Sequence, residues 1–501
     1  MRLSWCQNKR FWLVFGLASS IVVVVFQFHY RIGQAAPTGG SATILSPARV
    51  GGATGYNNER DADTYPAAAY DVATGRYLAV WMSLRNAGSS SDGFDVYGVF
   101  LGRTGQPIGS EFRISDSNTA ARNGLPTVAA GNGVFAVAWA ARGTTCQIYV
   151  QRVTDTSSRS DRILVSGASH RHSPHLVYNA TRQRYVVVYA EGDDYSPPTF
   201  FGAQTADCGN NSSSTSRIKA MEFSFSGESP VGSTPIVVSD VSSGAFRPRL
   251  AYSTGLSQYL VVWEDRRNAS GQAYRFDVYA QRLGAALTRS ESNVSLATGG
   301  DYTNYDTTAT WTPRPVVAAS SSQFLATWFT REIQDVAVIW SVMGRLVAGS
   351  GTPGTSFTIA QMPFAQSHTG QSPAGFLAAV YSSSAQEYMV GVTTYLESLW
   401  GYLSLALVQR VSTTGQLLKM DGMAQSQPGV GYSVDYDNED QVAVGMAVNP
   451  AAGCGAPDYL VLYSKHTTNK PAQDLDVWGV GVQMEDTAQN VKCAYLPLIK
   501  R

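Results

Sequence analysis

The chain has 501 residues, with 37 basic and 37 acidic side chains and a formal net charge of zero at pH 7. Charged residues make up 15 % and hydrophobic residues 44 % of the chain, which excludes an intrinsically disordered protein. The neutral balance, with no long run of Lys or Arg, removes the electrostatic basis for binding nucleic acid or an anionic lipid surface. Neither is therefore expected as a partner.

Residues 1–36 have the pattern of a targeting segment. Three basic residues precede an apolar run from Phe11 to Phe28, and the small residues Ala35 and Ala36 follow it. This order predicts a secretory signal peptide. An uncleaved signal anchor is the alternative, because the apolar run approaches the length of about 20 residues that a membrane span needs. Both interpretations predict an extracellular or cell-surface protein, with membrane contact only through an uncleaved segment.

A short hydrophobic motif recurs seven times along the rest of the chain. Self-similarity at intervals of about 50 to 75 residues indicates a repeat architecture. Most copies end in Trp or Tyr, which we expect to pack between neighbouring repeats. The copies are RYLAVW from Arg76, VFAVAW from Val134, RYVVVY from Arg184, QYLVVW from Gln258, QFLATW from Gln323, EYMVGV from Glu387 and DYLVLY from Asp458.

Each motif lies in a unit that predicts four strands. In the fourth unit these are PRLAY from Pro248, the motif itself, DVYAQRL from Asp277 and NVSLAT from Asn293. Turn-forming residues separate the segments, and alternating apolar and polar residues indicate half-buried strands. Four antiparallel strands repeated seven times predict an all-β protein, a seven-bladed β-propeller. An irregular array of β-sandwiches is the alternative.

The last unit stops after its third strand, near Met484. The segment SATILSPARV from Ser41 resembles the fourth strands of the other units. We therefore expect residues 41–50 to complete the last blade by pairing with the strand from Asp476 to Val482, which would close the ring and remove exposed sheet edges. This divides the chain into a targeting segment (1–36), a propeller (37–484) and a C-terminal tail (485–501). We interpret the tail as an export or surface-sorting feature. The alternative is a frayed end or a strand added to the last blade.

One unit also carries a family resemblance. The strings YLVVWEDRR from Tyr259 and FDVYAQRL from Phe276 resemble a repeat of exported bacterial β-propeller proteins, most of them uncharacterised. The resemblance extends over residues 60–484 and implies a propeller fold and export, but no particular activity or cofactor. The ending AYLPLIKR also resembles a C-terminal ending found on many exported proteins of some filamentous bacteria.

Four cysteines follow the targeting segment: Cys146, Cys208, Cys454 and Cys493. An even number in an exported chain indicates disulfides. Loops between second and third strands leave one face of a propeller, and loops between first and second or third and fourth strands leave the other. Cys146 and Cys208 both lie between second and third strands, whereas Cys454 lies between the first and second strands of the last unit and Cys493 follows its third strand. Each predicted pair, Cys146–Cys208 and Cys454–Cys493, therefore shares a face.

Candidate catalytic residues are few. The innermost strands, which line the channel of a propeller, are mainly apolar, with His175 and Arg249 as the main polar exceptions. A catalytic channel is expected to gather several acids or histidines with perturbed pKa values. Acids follow the third and fourth motifs instead, and two such carboxylates could hydrolyse a glycosidic bond. The other interpretation is that they form exposed ion pairs with neighbouring arginines. The acids in question are Glu191, Asp194, Glu264 and Asp265.

No metal site or cofactor is predicted. His170, His172 and His175 cluster in HRHSPH, but they span a turn and a strand rather than one face of a helix. The acidic segment from Asp301 lacks the ligand spacing of an EF-hand.

The interpretation that these features favour is a non-catalytic extracellular scaffold. It would bind an unidentified glycan or protein through its loops, chiefly Gly192–Ser216 and Gly299–Thr312. The alternative is a secreted carbohydrate-active enzyme, similar to a glycoside hydrolase, that uses the acids named above.

Overall fold

The protein was analysed as a computed structural model. It describes residues 14–17, 20–23, 40–51, 63–83, 94–115, 122–142, 145–157, 162–192, 216–241, 244–269, 276–298, 313–334, 337–365, 376–398, 401–429, 431–435, 441–450, 456–466 and 475–484. Contacts divide the chain into two units, Met1–Ala36 and Pro37–Arg501. In the first unit, β1 (Val14–Leu17) pairs with β2 (Ser20–Val23) as an antiparallel hairpin. The described part of the chain has no helix with the length and apolar character of a membrane span.

The second unit is a ring of seven small antiparallel sheets, so the predicted seven-bladed propeller is confirmed. Two short strands, β3 (Ala42–Ile44) and β4 (Ala48–Gly51), precede the first blade in the chain. Blade 1 contains β5 (Asp63–Asp71), β6 (Arg76–Ser83), β7 (Asp95–Leu101) and β8 (Phe112–Arg113). Blade 2 contains β9 (Arg122–Gly131), β10 (Val134–Arg142), β11 (Cys146–Val153) and β12 (Arg162–Val165). Blade 3 contains β13 (Arg171–Asn179), β14 (Arg184–Glu191), β15 (Arg217–Ser226), β16 (Ser229–Gly232) and β17 (Ile236–Val237).

The remaining blades repeat this order. Blade 4 contains β18 (Ala245–Ser253), β19 (Gln258–Asp265), β20 (Asp277–Gly284) and β21 (Val294–Ala297). Blade 5 contains β22 (Val316–Ala319), β23 (Gln323–Gln334), β24 (Ala337–Ala348) and β25 (Pro353–Ala365). Blade 6 contains β26 (Leu377–Ser382), β27 (Glu387–Ser398), β28 (Gly401–Ser412), β29 (Leu417–Leu418) and β30 (Tyr432–Ser433). Blade 7 contains β31 (Gln441–Val448), β32 (Tyr459–His466) and β33 (Leu475–Met484).

Blade 7 is completed from the N-terminal side of the domain, as the sequence predicts. Ala42 pairs with Met484 and Ala48 pairs with Gly479, so β3 and β4 together form the fourth strand along β33. Arg49 adds an ion pair with Asp476 at 2.8 Å. The ring is therefore closed by strand pairing between residues that lie more than 400 positions apart.

The hydrophobic core lies between the blades. Seven clusters of buried residues occur, one for each pair of neighbouring blades, including blades 7 and 1. The motif strand contributes side chains to the clusters on both of its sides, because alternate side chains point to opposite faces of a strand. In β19, Tyr259, Val261 and Trp263 pack towards blade 3, whereas Leu260 and Val262 pack towards blade 5. This is why the motif is a continuous apolar run, and it confirms that Trp263 is fully buried between blades.

Candidate functional site

The first strands of all seven blades line a cavity of about 570 Å³ along the centre of the ring. Much of its wall consists of small apolar residues such as Ala67, Ala318 and Ala378, as the sequence predicts. Because every blade repeats the same antiparallel order, the first strands all begin at the same end of the channel. Residues near the start of each first strand therefore meet at that end of the channel, and the polar groups described below lie there.

One mouth of the channel is formed where the first strands begin. We call it the arginine mouth, and it comprises Tyr65, Leu125, Ser173, Arg247, Arg314 and Phe376, all of which line the cavity. Five of these six residues directly precede a proline, in blades 1 to 5.

All five pre-proline residues have a left-handed backbone. Their φ values are 55° (Tyr65), 54° (Leu125), 53° (Ser173), 46° (Arg247) and 45° (Arg314). Such values are uncommon for residues other than glycine. In blades 1 to 4 the pairing of the first two strands shifts register at this point, as in a β-bulge. A bulge suits the position because proline has no N–H to donate to the sheet.

Blades 4 and 5 bring three arginines to this end of the channel. Arg247 and Arg249 belong to β18, and Arg314 precedes β22. Glu264, at the end of β19, is fully buried beside them. Its Oε2 accepts a hydrogen bond from Arg247 Nη1 at 2.6 Å, and its Oε1 accepts one from the backbone N–H of Arg314 at 2.9 Å.

Burial, and to a smaller extent repulsion between the arginines, lowers the pKa values of Arg249 and Arg314. Burial lowers the pKa of Arg249 to about 10; Glu264 opposes this shift, and Arg247 and Arg314 add to it by repulsion. Burial also lowers the pKa of Arg314, an effect opposed by Tyr65 and Glu264 and increased by Arg247. All three guanidiniums stay charged at neutral pH. Three positive charges therefore converge at this end of the channel, where Glu264 is the carboxylate that the described contacts place beside them. A cluster of guanidinium groups favours a bound anion.

The other half of the arginine mouth is aromatic. The rings of Tyr65 and Phe376 meet edge to face, with centroids 4.9 Å apart. The guanidinium carbon of Arg314 lies 5.1 Å from the centre of the Phe376 ring. Cationic and aromatic groups therefore adjoin one another at one end of one cavity.

The three histidines of HRHSPH make contacts other than metal coordination in the described structure. Burial, together with the charge of Arg249, lowers the pKa of His175 to about 3, so its ring is neutral at pH 7. His170 accepts a hydrogen bond from the backbone N–H of Cys146, and His172 lies beside Ser173. Among the described residues no three His, Cys, Asp or Glu side chains are grouped as a metal would need.

The described acids among those that the sequence singles out bind different partners. Glu264 and Asp265 are adjacent in β19 and point to opposite faces; Asp265 binds Arg267 at 2.7 Å and the indole N–H of Trp263 at 2.7 Å. Glu191 pairs with Arg171 at 3.0 Å and with Lys219 at 2.5 Å. Asp194 lies outside the described residues. Within the described ranges, the structure therefore does not bring two of these acids together as a catalytic pair.

The sequence also suggests that these acids form exposed ion pairs with neighbouring arginines. The pairs of Glu264 and Asp265 are instead buried. The side chains of both Glu264 and Asp265 are 0 % exposed. Glu264 pairs with Arg247, and Asp265 pairs with its neighbour Arg267.

Sequence reasoning named Arg249 and His175 in the channel but missed Arg247, Arg314, Tyr65 and Phe376. For Tyr65, Arg247 and Arg314 the available signal was their place directly before the proline of units 1, 4 and 5. Phe376 precedes no proline and carries no such signal. Both loop segments expected to form a contact surface, Gly192–Ser216 and Gly299–Thr312, lie outside the described residues except for their ends Gly192 and Ser216.

Cys146 is buried at the start of β11 and is disulfide-bonded. Cys208, Cys454 and Cys493 lie outside the described residues, so the predicted pairing stays a prediction.

No protein-family model matches the chain, and no curated protein matches it in sequence. Several solved structures are similar to it. A sialidase of Trypanosoma rangeli has 8 % identity and a TM-score of 0.44; the alignment covers 88 % of this chain but only 59 % of that protein. An α-L-arabinanase of Penicillium chrysogenum has 10 % identity and a TM-score of 0.42, over 88 % and 98 % of the two chains. An α-L-arabinofuranosidase of Fusarium graminearum has 10 % identity and a TM-score of 0.41, over 87 % and 97 %.

These comparisons correct one expectation. The non-catalytic scaffold is not the interpretation that the comparisons favour, since the similar structures named above are those of glycosidases, in line with the alternative of a carbohydrate-active enzyme. At 8–10 % identity the likeness itself concerns the fold alone. The argument for a particular function therefore has to come from the arginine mouth.

Proposed function

We propose that the protein is a carbohydrate-active enzyme that binds an acidic glycan unit at the arginine mouth. The observation that carries the proposal is the convergence of Arg247, Arg249 and Arg314 on one end of a cavity. Guanidinium groups form strong charge-assisted hydrogen bonds with carboxylates and other oxyanions. Among the described residues that line the cavity there is no Asp or Glu that would repel such a ligand.

The aromatic half of the mouth supports a sugar rather than a free inorganic anion. Ligand pockets typically combine apolar and aromatic walls with a few placed polar groups. Tyr65 and Phe376 give such a wall directly beside Arg314. A sugar ring that carries an acidic group has both features, because its C–H face is apolar and its substituent is charged.

The reaction proposed is hydrolysis of a glycosidic bond, in which the sugar carbon gains the hydroxyl of water and the departing oxygen gains its proton. The arginines would hold the acidic group and fix the sugar ring. Tyr65 supplies an ionisable hydroxyl at the mouth, within electrostatic reach of Arg314, and is our candidate for the reacting group. Glu264 is assigned to positioning, since both of its oxygens already accept hydrogen bonds from blades 4 and 5.

The test is a hydrolysis screen of the purified protein against oligosaccharides containing sialic or uronic acids and against neutral arabinan fragments. We expect release of sugar from acidic substrates, loss of that activity in Tyr65→Phe, and a raised KM in Arg314→Gln. The matched control is Arg182→Gln, since Arg182 forms an exposed pair with Glu222 away from the channel. Hydrolysis of neutral substrates only, or of none, would overturn the proposal.

A further inference from the structure

We infer that the pre-proline residues at the arginine mouth form a specificity ring that selects an acid carrying an apolar face. The inference takes its location from the proposed function and deepens it by naming the ligand class. It concerns binding, so it can be tested whether or not a substrate is turned over.

The arrangement of side chains around the ring gives the first argument. Blades 3, 4 and 5 contribute Ser173, Arg247 and Arg314, which form a polar and cationic sector. Blades 1 and 2 contribute Tyr65 and Leu125 at the equivalent position, and the contact between Tyr65 and Phe376 of blade 6 extends the apolar sector. One side of the mouth therefore matches an anion, and the other matches an apolar surface.

The backbone gives the second argument. A left-handed conformation is unfavourable for a residue with a Cβ, whereas glycine adopts it readily. Strained residues of this kind concentrate at ligand sites, where the surrounding structure holds them in place. The same strain recurs in five blades at a position that lines the cavity.

The third argument is the place of Leu125. Among the described residues it belongs to none of the seven clusters between the blades, yet it lines the cavity and is only partly buried. A strained backbone that carries a large apolar side chain outside these clusters is explained if that side chain contacts a ligand.

The experiment compares three probes by calorimetric titration: sodium glucuronate, 4-nitrophenyl β-D-glucuronide and 4-nitrophenyl β-D-glucoside. The first has the charge and only the C–H face of the sugar ring, the second adds an aryl group to the charged sugar, and the third has the aryl group without the charge. We expect the aryl glucuronide to bind about tenfold more tightly than either of the other two probes, a difference that corresponds to 1.4 kcal/mol.

Leu125→Gly then separates ligand contact from folding. We expect this variant to lose about tenfold in affinity for the aryl glucuronide, to bind glucuronate unchanged, and to keep or raise its Tm because glycine relieves the strain. Leu125→Ala, which keeps the strain, should lose the same affinity without a gain in Tm. The matched control is Gln183→Gly, since Gln183 also has a positive φ, 51°, in an exposed turn that does not line the cavity.

Equal affinities for glucuronate and its aryl derivative would overturn the specificity ring, as would wild-type binding by Leu125→Gly. Loss of binding by Gln183→Gly would also count against it. Selective binding of the aryl glucuronide without hydrolysis of any acidic substrate would contradict the enzymatic function alone and would leave the specificity ring standing.

Discussion

The buried carboxylate of Glu264 lies 2.6 Å from the guanidinium of Arg247, which precedes the proline of β18 in the same blade. Its second oxygen accepts a hydrogen bond from the backbone N–H of Arg314 in the next blade. One side chain therefore fixes two strained residues in neighbouring blades and holds the cationic half of the arginine mouth in place. No other motif strand has an acid at the equivalent position, where Met82, Ala140, Ala190, Phe329, Thr393 and Ser464 stand instead.

Replacing Glu264 with Gln should lower the free energy of unfolding by about 3–5 kcal/mol, because it breaks a buried ion pair with Arg247 by removing one of its two charges. Sulfate should restore part of this loss by occupying the cationic cluster. Denaturation with and without sulfate measures both effects. The control is Glu222→Gln, whose partly exposed pair with Arg182 should contribute less than about 1 kcal/mol. Equal losses in the two variants would show that Glu264 does not hold the cluster.

Trp263→Ala should lower the free energy of unfolding by about 3–5 kcal/mol, the range for deleting a large buried aromatic side chain. Trp263 is fully buried between blades 3 and 4 and donates its indole N–H to Asp265 at 2.7 Å. Urea denaturation of the purified domain gives the value. Val72→Ala is the control, because Val72 is 61 % exposed. A loss below about 1 kcal/mol for Trp263→Ala would contradict its place in the core.

Deleting residues 37–50 should destabilise the whole propeller. The deletion removes β3 and most of β4 and leaves β33 with an unpaired edge. It also removes the backbone N–H of Ala42, which donates to Met420 of blade 6 at 2.6 Å. A chain that begins at residue 37 is the control and should melt like the full chain. An unchanged melting curve after deletion of residues 37–50 would mean that ring closure contributes nothing to stability.

Stability should fall as the pH falls below about 6.5, with a contribution from His175. Its pKa is about 3 in the folded chain against an ordinary 6.5, so the unfolded chain binds the proton first. The stabilisation by neutral His175 is therefore complete above pH 6.5 and is lost as the pH falls towards 3. Tm measured from pH 7 to pH 4 should decline less steeply in His175→Gln than in the wild type. Parallel profiles would exclude His175 as a source of the acid sensitivity.

The disulfides are predicted to be Cys146–Cys208 and Cys454–Cys493. The physical reason is that each pair shares one face of the propeller, and bridging requires Cα atoms within about 7 Å. Peptide mapping without reductant should recover both linked peptides, and a reduced sample of the same digest is the control. A Cys146–Cys454 or Cys208–Cys493 peptide would refute the pairing.

The sequence by itself determined the architecture of this protein. Blade number, the order of strands, the burial of Trp263 and closure of the last blade through residues 41–50 all follow from a repeated local pattern. Each unit has the same two-sided apolar strand, and such a strand can be buried only between two neighbours. The missing fourth strand of the last unit then had one available source, the segment before the first.

Only the tertiary structure determined which side chains come together at the candidate site. Glu264 and Asp265 are adjacent in sequence, but the alternation of side chains along β19 sends them to different partners. Tyr65 and Phe376 are 311 positions apart (376 − 65) and still meet at 4.9 Å, because the ring returns each first strand to the same channel. The arginine mouth is built from single residues of separate blades. The proline that follows marks this position in units 1 to 5, but the residue type there differs from unit to unit, so the groups that meet at the mouth become visible only when the ring is closed.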